Sequence, residues 1–502
     1  MIRKKLFFFG VDSATWDLIK PWAKAGLLPA FNKILNEGSI ADLESTIPPL
    51  TPVAWPTMMT GASPAMHANY DFYKLDENKE ITITLASDIN YPFVWELLSR
   101  KNISTTVLNI PITFPVRPVN GVQLSCFLTP GFKSDFLYPE NLKKEFIKKF
   151  PKYIFSPKSK VGRGDVESYR MRLKETKQEV TDVIDVCRWA LKKNKSDFFA
   201  MNFMAVDHVQ HFYWEFMKEE GSEFKNAVLE IYQMVDGYLQ EVLEKYAQEY
   251  QIMVASDHGA GALEKTLFLN VWLQRKGYLV FKNTFAVLLK RMFAFFGFTP
   301  QTVIELASRL RLLRHSGKVD SGKRNRLMNK LILSYADIDW EKTTAYSFGM
   351  YGGVFINQKS KVKSQKSKLM TRILLEMKKD FRKELTFIDT SENIYKTHAY
   401  PETIPDIQFL MKEGAIVSTN IYAFSGNKLF TKPITHKSGE HRVNGILAFY
   451  PKLALPKKAK IAQITPTILN FFGIQKEKYM GAKSLLKTSS VTPKEDLFDI
   501  EI

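Results

Sequence analysis

Gln251-Ile252-Met253-Val254-Ala255-Ser256-Asp257-His258-Gly259 reads as a strand that runs directly into an acid and an imidazole. Two other stretches repeat the arrangement. Leu6-Phe7-Phe8-Phe9-Gly10-Val11 leads into Asp12, and the apolar residues 198–204 lead into Asp207-His208-Val209-Gln210-His211. In open α/β sheets ligands bind beyond the C-terminal ends of the strands. Three separate strands would therefore deliver carboxylates to one rim.

Working outward, helical patterns fill the intervals between these strands. Leu18, Ile19, Trp22 and Leu27 recur at helical spacing through residues 16–34, and residues 180–191 and 224–246 continue the pattern. Residues 105–110 read as a further strand. Such alternation predicts an α/β fold, a mainly parallel central sheet with helices on both faces. From 267 to 339 the pattern changes to a helical, basic insertion. Residues 285–298 are apolar around Lys290-Arg291, 302–313 form an amphipathic basic helix, and 316–329 are polar and basic. Strand character resumes over 345–357, where Gly352-Gly353 suggests a bulge or a close backbone approach. Residues 358–368 read as a surface turn or helix start, 445–450 as a strand and 464–472 as a helix. The expected organisation is a core over 1–266, a helical basic cap over 267–340, and a second core part over 341–502. No internal repeat is present.

At 502 residues the chain is long enough for a large core, and 45% hydrophobic with 25% charged residues is ordinary globular composition. Cys126 and Cys187 are too few for a disulfide framework, which points to a reducing compartment. The run after Met1-Ile2-Arg3-Lys4-Lys5 is short for a secretory segment and meets Gly10-Val11-Asp12 with no small-residue cleavage site, so a buried first strand explains it. No apolar stretch approaches the length of a bilayer span. The expected location is cytoplasmic, with peripheral contact to an anionic membrane as its variant. The net charge is +19, and about half the surplus lies between Phe281 and Tyr335, where eleven Lys and Arg face only Glu305 and Asp320. A surface of that kind attracts phosphates.

Asp and His are good ligands for zinc or manganese, and Asp207 and His211 at i, i+4 share one helical face. With Asp12, Asp257, His258, the Gly439-Glu440-His441 piece and the hydroxyl of Thr51 in Pro48-Pro49-Leu50-Thr51-Pro52, the chain offers three carboxylates, three imidazoles and one hydroxyl. That is the ligand count of two metal ions around an activated nucleophile. Thr51, flanked by prolines, reads as a loop hydroxyl. Trp55 and Trp272 read as core, and His67 and His208 as supporting or turn residues rather than ligands. Lys437 and Arg442 flank the last candidate ligand and are candidate phosphate contacts.

On these motifs the chain resembles the alkaline phosphatase superfamily, most closely its type I phosphodiesterase and nucleotide pyrophosphatase branch and the related phosphohydrolases or phosphomutases. The resemblance runs through Gly10-Val11-Asp12, the segment from Thr46 to Phe72 with Met59-Thr60-Gly61 and His67, and the stretches Asp207 to His211 and Ser256 to Gly259. It continues in Asn270-Val271-Trp272-Leu273, Lys276-Gly277-Tyr278-Leu279, Ser438 to Leu447, and Ile464-Thr465-Pro466-Thr467-Ile468-Leu469. It implies an alkaline phosphatase-like fold and two divalent ions, zinc first and manganese as the alternative. One would be held by Asp207, His211 and His441, the other by Asp12, Asp257, His258 and Thr51. Thr51 would attack phosphorus and form a phosphoryl-threonine intermediate.

The implied substrate is a phosphate ester of a small molecule, or a lipid- or glycan-linked one, with no specific nucleic-acid partner. Nucleotide pyrophosphatases carry a phosphate-binding asparagine at the position that Phe72 fills here; Asn69, Tyr70 and Tyr73 lie nearby, and Asn69, Tyr73 and Lys437 are the candidate substrate contacts. No Cys-x-Pro-x-Arg motif surrounds Thr51, which disfavours a sulfatase. The alternatives are a phosphomonoesterase, phosphomutase or phospho-group transferase, or a non-catalytic basic binding protein.

Overall fold

The computed structural model describes residues 5–75, 81–162, 164–295, 333–357, 366–396, 401–412, 415–417, 423–424, 428–433 and 436–486. A nine-stranded sheet forms the core. In chain order its strands are β1 (Lys5–Val11), β2 (Ser39–Glu44), β3 (Thr105–Leu108), β4 (Gly121–Leu124), β5 (Leu137–Tyr138), β6 (Phe198–Phe203), β7 (Tyr250–Ala255), β8 (Asn444–Tyr450) and β9 (Lys458–Lys460). Their spatial order is β9-β2-β8-β7-β1-β6-β3-β4-β5. The five strands from β7 to β4 are mutually parallel, while β8 lies antiparallel between β7 and β2. The mainly parallel α/β sheet expected from the alternation is therefore the observed fold.

The unbroken apolar character of β1 follows from its central place. Phe7, Phe9 and Val11 point into one apolar cluster with Phe199, Met201, Phe203, Ile252 and Val254, while Leu6 and Phe8 point into another with Phe198, Ala200 and Met253. A strand buried on both faces has no polar side to present. The first cluster is covered by α1 (Trp16–Lys24), α2 (Pro29–Glu37), α4 (Val166–Lys193), α5 (Ala205–Tyr213) and α6 (Ala227–Tyr246); the second by α3 (Thr51–Thr60) and the helix Ile464–Phe471.

Three local expectations change. The single helix over 16–34 is two helices, because Gly26 adopts φ +76° after α1 and Pro29 opens α2 at its first turn. Leu27 falls in that break and is exposed, so it does not share the buried stripe. The strand starting at Thr105 stops at Leu108, since Asn109 has φ +58°. The stretch 345–357 is a hairpin, Ala345–Phe348 against Gly353–Ile356, with Gly349 and Gly352 both at positive φ in the turn.

A third apolar cluster lies apart from the main sheet. It gathers Leu267, Trp272, Leu279, Tyr335, Tyr346, Ile373 and Phe409 around a four-stranded antiparallel sheet of Ala345–Phe348, Gly353–Ile356, Ile407–Met411 and Leu385–Thr390. Its residues come from both sides of the boundary expected at 340, so this part of the chain packs as helices on a small sheet. Phe285–Phe295 (α7) is helical; the basic stretches 302–313 and 316–329 lie outside the described residues. Asp71 ties this cap to the core. Its Oδ2 accepts from Met350 N (2.6 Å) and its Oδ1 from Tyr73 N (3.1 Å), while burial, outweighing these bonds, lifts its carboxyl to about 7. Among the described residues no helix is long and apolar enough to cross a membrane.

Candidate metal centre

Asp12 and Asp257 stand one and two residues beyond the ends of β1 and β7, neighbours in the sheet. Asp207 follows β6 through the first turn of α5, which also carries His211 one turn later. His441 arrives on the strand Gly439–Arg442, antiparallel to Gly259–Ala262, with Ala260 opposite His441. The rim of the sheet thus collects all six residues, and all six are buried.

They divide into two trios whose ligand atoms lie within 4.8 Å of one another: Asp207, His211 and His441, and Asp12, Asp257 and His258. In the first, Asp207 Oδ1 is 3.4 Å from His211 Nε2 and 3.2 Å from His441 Nε2, and the two imidazole nitrogens are 3.1 Å apart. In the second, His258 Nε2 is 3.1 Å from Asp257 Oδ2 and 3.8 Å from Asp12 Oδ1. The His258 and His441 rings stack at 3.7 Å, which sets the two trios side by side.

Hydrogen bonding fixes which atoms face inward. Nδ1 of His211, His258 and His441 each meets a backbone carbonyl: Gly439 O (2.8 Å), Gly259 O (3.2 Å) and Pro49 O (3.0 Å). A carbonyl only accepts, so each Nδ1 carries a proton and each Nε2 is the ring atom turned to the centre. The carboxylates are anchored likewise by one oxygen. Asp12 Oδ2 accepts from Trp55 Nε1 (2.7 Å) and Asp257 Oδ1 from Ser13 N (3.2 Å). The opposite oxygens, Asp12 Oδ1 and Asp257 Oδ2, and also Asp207 Oδ1, are buried with no hydrogen-bond partner among the described residues. Converging acceptors without donors are costly in a buried site and are relieved by cations. The residues fit divalent metal ions.

The electrostatics agree. Burial, then the Asp257 and Asp207 charges, push the Asp12 carboxyl well above its usual range. Burial opposes ionisation of Asp207 too, but His211 and His441 outweigh it and hold that carboxyl well below the usual range. Burial lowers His211 to about 4, against the pull of Asp207, so it is neutral and ready to ligate. At His258 the Asp257 carboxylate overcomes burial and raises the imidazole, marking a position that favours positive charge.

Thr51 is the first residue of α3 rather than part of a loop, because Leu50 is extended and Pro52 suits a first helical turn. The hydroxyl is buried, with Oγ1 3.2 Å from His258 Nε2. Asn69 Nδ2 donates to Pro52 O (2.6 Å), bracing the start of α3. Tyr73 packs its ring against the cap cluster. Lys437 Nζ lies 3.2 Å from His211 Nε2, inside the centre. Arg442 donates to the backbone carbonyls of Glu440, His441 and Ala262, lacing two strands together, so its candidacy as a phosphate contact is not supported. His67 accepts from Asn69 N through Nδ1 and pairs with Thr57 Oγ1, and burial lowers it to about 3. His208 pairs with Glu179. Neither belongs to the two trios.

Three contributors escaped the sequence reading. Trp55 is core, yet its N–H also orients Asp12, an approach that Gly10 permits: a Cβ there would lie 3.0 Å from the indole. Trp55→Phe is expected to weaken metal binding by roughly 10- to 100-fold, the usual cost of losing a bond that orients a ligand. Equilibrium dialysis checks this; unchanged affinity would remove the positioning role. Glu440 and Tyr351 are the other two. Glu440 Oε1 accepts from Tyr351 Oη (3.2 Å) and His441 N (3.1 Å) and lies 3.6 Å from His441 Nε2, while Oε2 is buried without a partner among the described residues. The Tyr351 ring, from the cap hairpin, lies nearly parallel to His441 at 6.1 Å. The Gly439-Glu440-His441 spelling was the one signal for Glu440.

Comparisons with known proteins agree with this geometry. Among curated proteins none matches the chain in sequence. Solved structures with the same fold include phosphonoacetate hydrolase from Sinorhizobium meliloti 1021 in complex with phosphonoformate, 14% identical with TM-score 0.56 over 94% of this chain and 95% of that one. Wild-type alkaline phosphatase PafA is 14% identical, with TM-score 0.54 over 97% and 99% of the two chains. Human ectonucleotide pyrophosphatase/phosphodiesterase 5 is 11% identical, with TM-score 0.50 over 94% and 96%. The sequence profile of the type I phosphodiesterase/nucleotide pyrophosphatase family matches residues 6–423. The chain belongs to that family and is a metal-dependent hydrolase of phosphoester bonds.

Proposed function

We propose that the chain hydrolyses phosphodiesters through a covalent intermediate on Thr51, with two divalent cations, zinc or alternatively manganese. Asp207, His211 and His441 would hold one, and Asp12, Asp257, His258 and the Thr51 hydroxyl the other. The observation that carries the reading is the Thr51 hydroxyl, buried at the start of α3 and 3.2 Å from a ligand-ready His258 Nε2. When bound, the cations would polarise the phosphoryl oxygens and lower the pKa of a coordinated hydroxyl or water.

The remaining steps belong to the chain. The Thr51 oxygen loses its proton to solvent and attacks phosphorus, and the bond to the leaving alcohol breaks. The positive end of the α3 dipole favours the charge on that oxygen. Lys437 Nζ would meet a non-bridging oxygen, a role supported by its position 3.2 Å from His211 Nε2. The transferred group stays on Thr51, keeping its second ester; water then attacks phosphorus, the Thr51 O–P bond breaks, and a phosphomonoester leaves. The cap, built on the third apolar cluster, would face the substrate through Tyr351, whose Oη donates to Glu440 Oε1 (3.2 Å). The substrate is a phosphate ester of a small molecule or of a lipid- or glycan-linked group.

Glu440 supports diester over monoester chemistry. A diester brings one negative charge and a monoester two, and a buried carboxylate beside the first trio opposes the second. At a separation on the order of 7 Å and an effective dielectric constant of about 20, one extra charge costs roughly 2 kcal/mol. Turnover of bis-p-nitrophenyl phosphate should exceed that of p-nitrophenyl phosphate. Glu440→Gln should shift the ratio toward the monoester by about tenfold or more. A wild-type preference for the monoester would favour the phosphomonoesterase reading instead.

A further inference from the structure

The cap carries a helix whose surface is wrong for water. In α7, Phe-Ala-Val-Leu-Leu-Lys-Arg-Met-Phe-Ala-Phe, Phe285 is 80% exposed, Leu288 and Met292 46% each, and Leu289 37%. These four stand at i, i+3, i+4 and i+7, one continuous face. The opposite side is secured. Val287 is buried in the cap cluster, Lys290 Nζ bonds both oxygens of the buried Asp337 (2.8 and 2.9 Å), and Arg291 lies over the Phe281 ring at 5.9 Å. The helix is therefore held by one stripe and presents large apolar side chains outward. A contiguous apolar face of this kind marks an interaction surface.

Charge selects its occupant. The chain as a whole carries a net charge of +19, and residues 282–295 hold Lys282, Lys290 and Arg291 with no acid among them. A second copy of this chain would bring an equal positive charge to the contact and be repelled. A nucleic acid would engage the charge and leave the apolar side chains in water. An anionic lipid surface meets both, since acyl chains take the apolar face and headgroups take the cations.

We propose that the Phe285, Leu288, Leu289 and Met292 face of α7 inserts into the surface of an anionic lipid leaflet. The docked chain rests on the hydrolase reading only for what it then meets, namely phosphate esters presented at a lipid surface.

The test uses the full chain with vesicles of phosphatidylcholine alone and of phosphatidylcholine with phosphatidylglycerol. Flotation with the anionic vesicles only, weakened by salt, is expected. Leu288→Glu with Met292→Glu should lower the bound fraction at least tenfold, while the melting temperature and the turnover of soluble bis-p-nitrophenyl phosphate stay unchanged. Absence from anionic vesicles, or binding by the double variant equal to wild type, overturns the proposal. So does a wild-type dimer in sedimentation equilibrium that the double variant dissolves without any vesicle binding. A single variant, Phe285→Ser, keeps the test decisive if the double variant misfolds. Absent turnover with vesicle binding intact would sink the hydrolase reading and leave this one standing.

Discussion

Thr51→Ala is expected to lower phosphodiester turnover by roughly 10⁴-fold or more, the scale on which deleting a covalent nucleophile acts. The size follows from what the side chain is asked to do. In the proposed mechanism it supplies the attacking oxygen, which has His258 Nε2 at 3.2 Å and stands in the first turn of α3. Pro49, two residues before Thr51, accepts from His441 Nδ1, so the Thr51 segment and a residue of the other trio are tied together. Removing one hydroxyl leaves the six Asp and His side chains of the two trios in place, so metal content and melting temperature should change little. Thr51→Ser should retain turnover. Activity surviving in the alanine variant at wild-type level would end the assignment of Thr51.

Stripping the metals is expected to abolish turnover and to lower the melting temperature, with both restored by zinc or manganese. Asp12 Oδ1, Asp207 Oδ1 and Asp257 Oδ2 are buried without hydrogen-bond partners among the described residues, beside three imidazole Nε2 atoms. Without cations these acceptors repel one another, and the Asp12 carboxyl already stands well above its usual range through burial and its acidic neighbours. A ligand present at about 1,000 times its dissociation constant stabilises by roughly 4.1 kcal/mol per site. Calorimetry with and without chelator reads that difference. An unchanged melting temperature together with full activity after chelation would contradict the metal reading.

The fold was legible where the signal is local. β1, β6 and β7 spell themselves out as short apolar runs, and the acid beyond each run falls at the rim because parallel strands end on the same side. The i, i+4 spacing of Asp207 and His211 was likewise enough to put them within 3.4 Å. The break between α1 and α2 was missed because the apolar period continues across it, although Gly26 and Pro29 stand in plain view. The cap sheet was missed for a different reason. Its strands are short and separated by helix, so only tertiary pairing reveals that residues on both sides of 340 share one core. Trp55 and Asp12 are 43 residues apart, and Tyr351 and Glu440 are 89 apart. No spacing rule connects such pairs, and an aromatic residue in an apolar helix reads as core whether or not its N–H holds a carboxylate. Arg442 errs the other way: a cation beside a ligand looks like a phosphate contact until its donors are found on backbone carbonyls.

In the proposed mechanism one oxygen, on Thr51, bonds covalently to phosphorus during turnover. Acid quenching of the metal-loaded enzyme during steady-state hydrolysis of bis-p-nitrophenyl phosphate, followed by peptide mass spectrometry, tests it directly. The account predicts a single p-nitrophenyl-phosphoryl adduct, on the peptide containing Thr51 and localised to that residue, and absent from Thr51→Ala. An adduct on any other residue, or full turnover of Thr51→Ala, would contradict it.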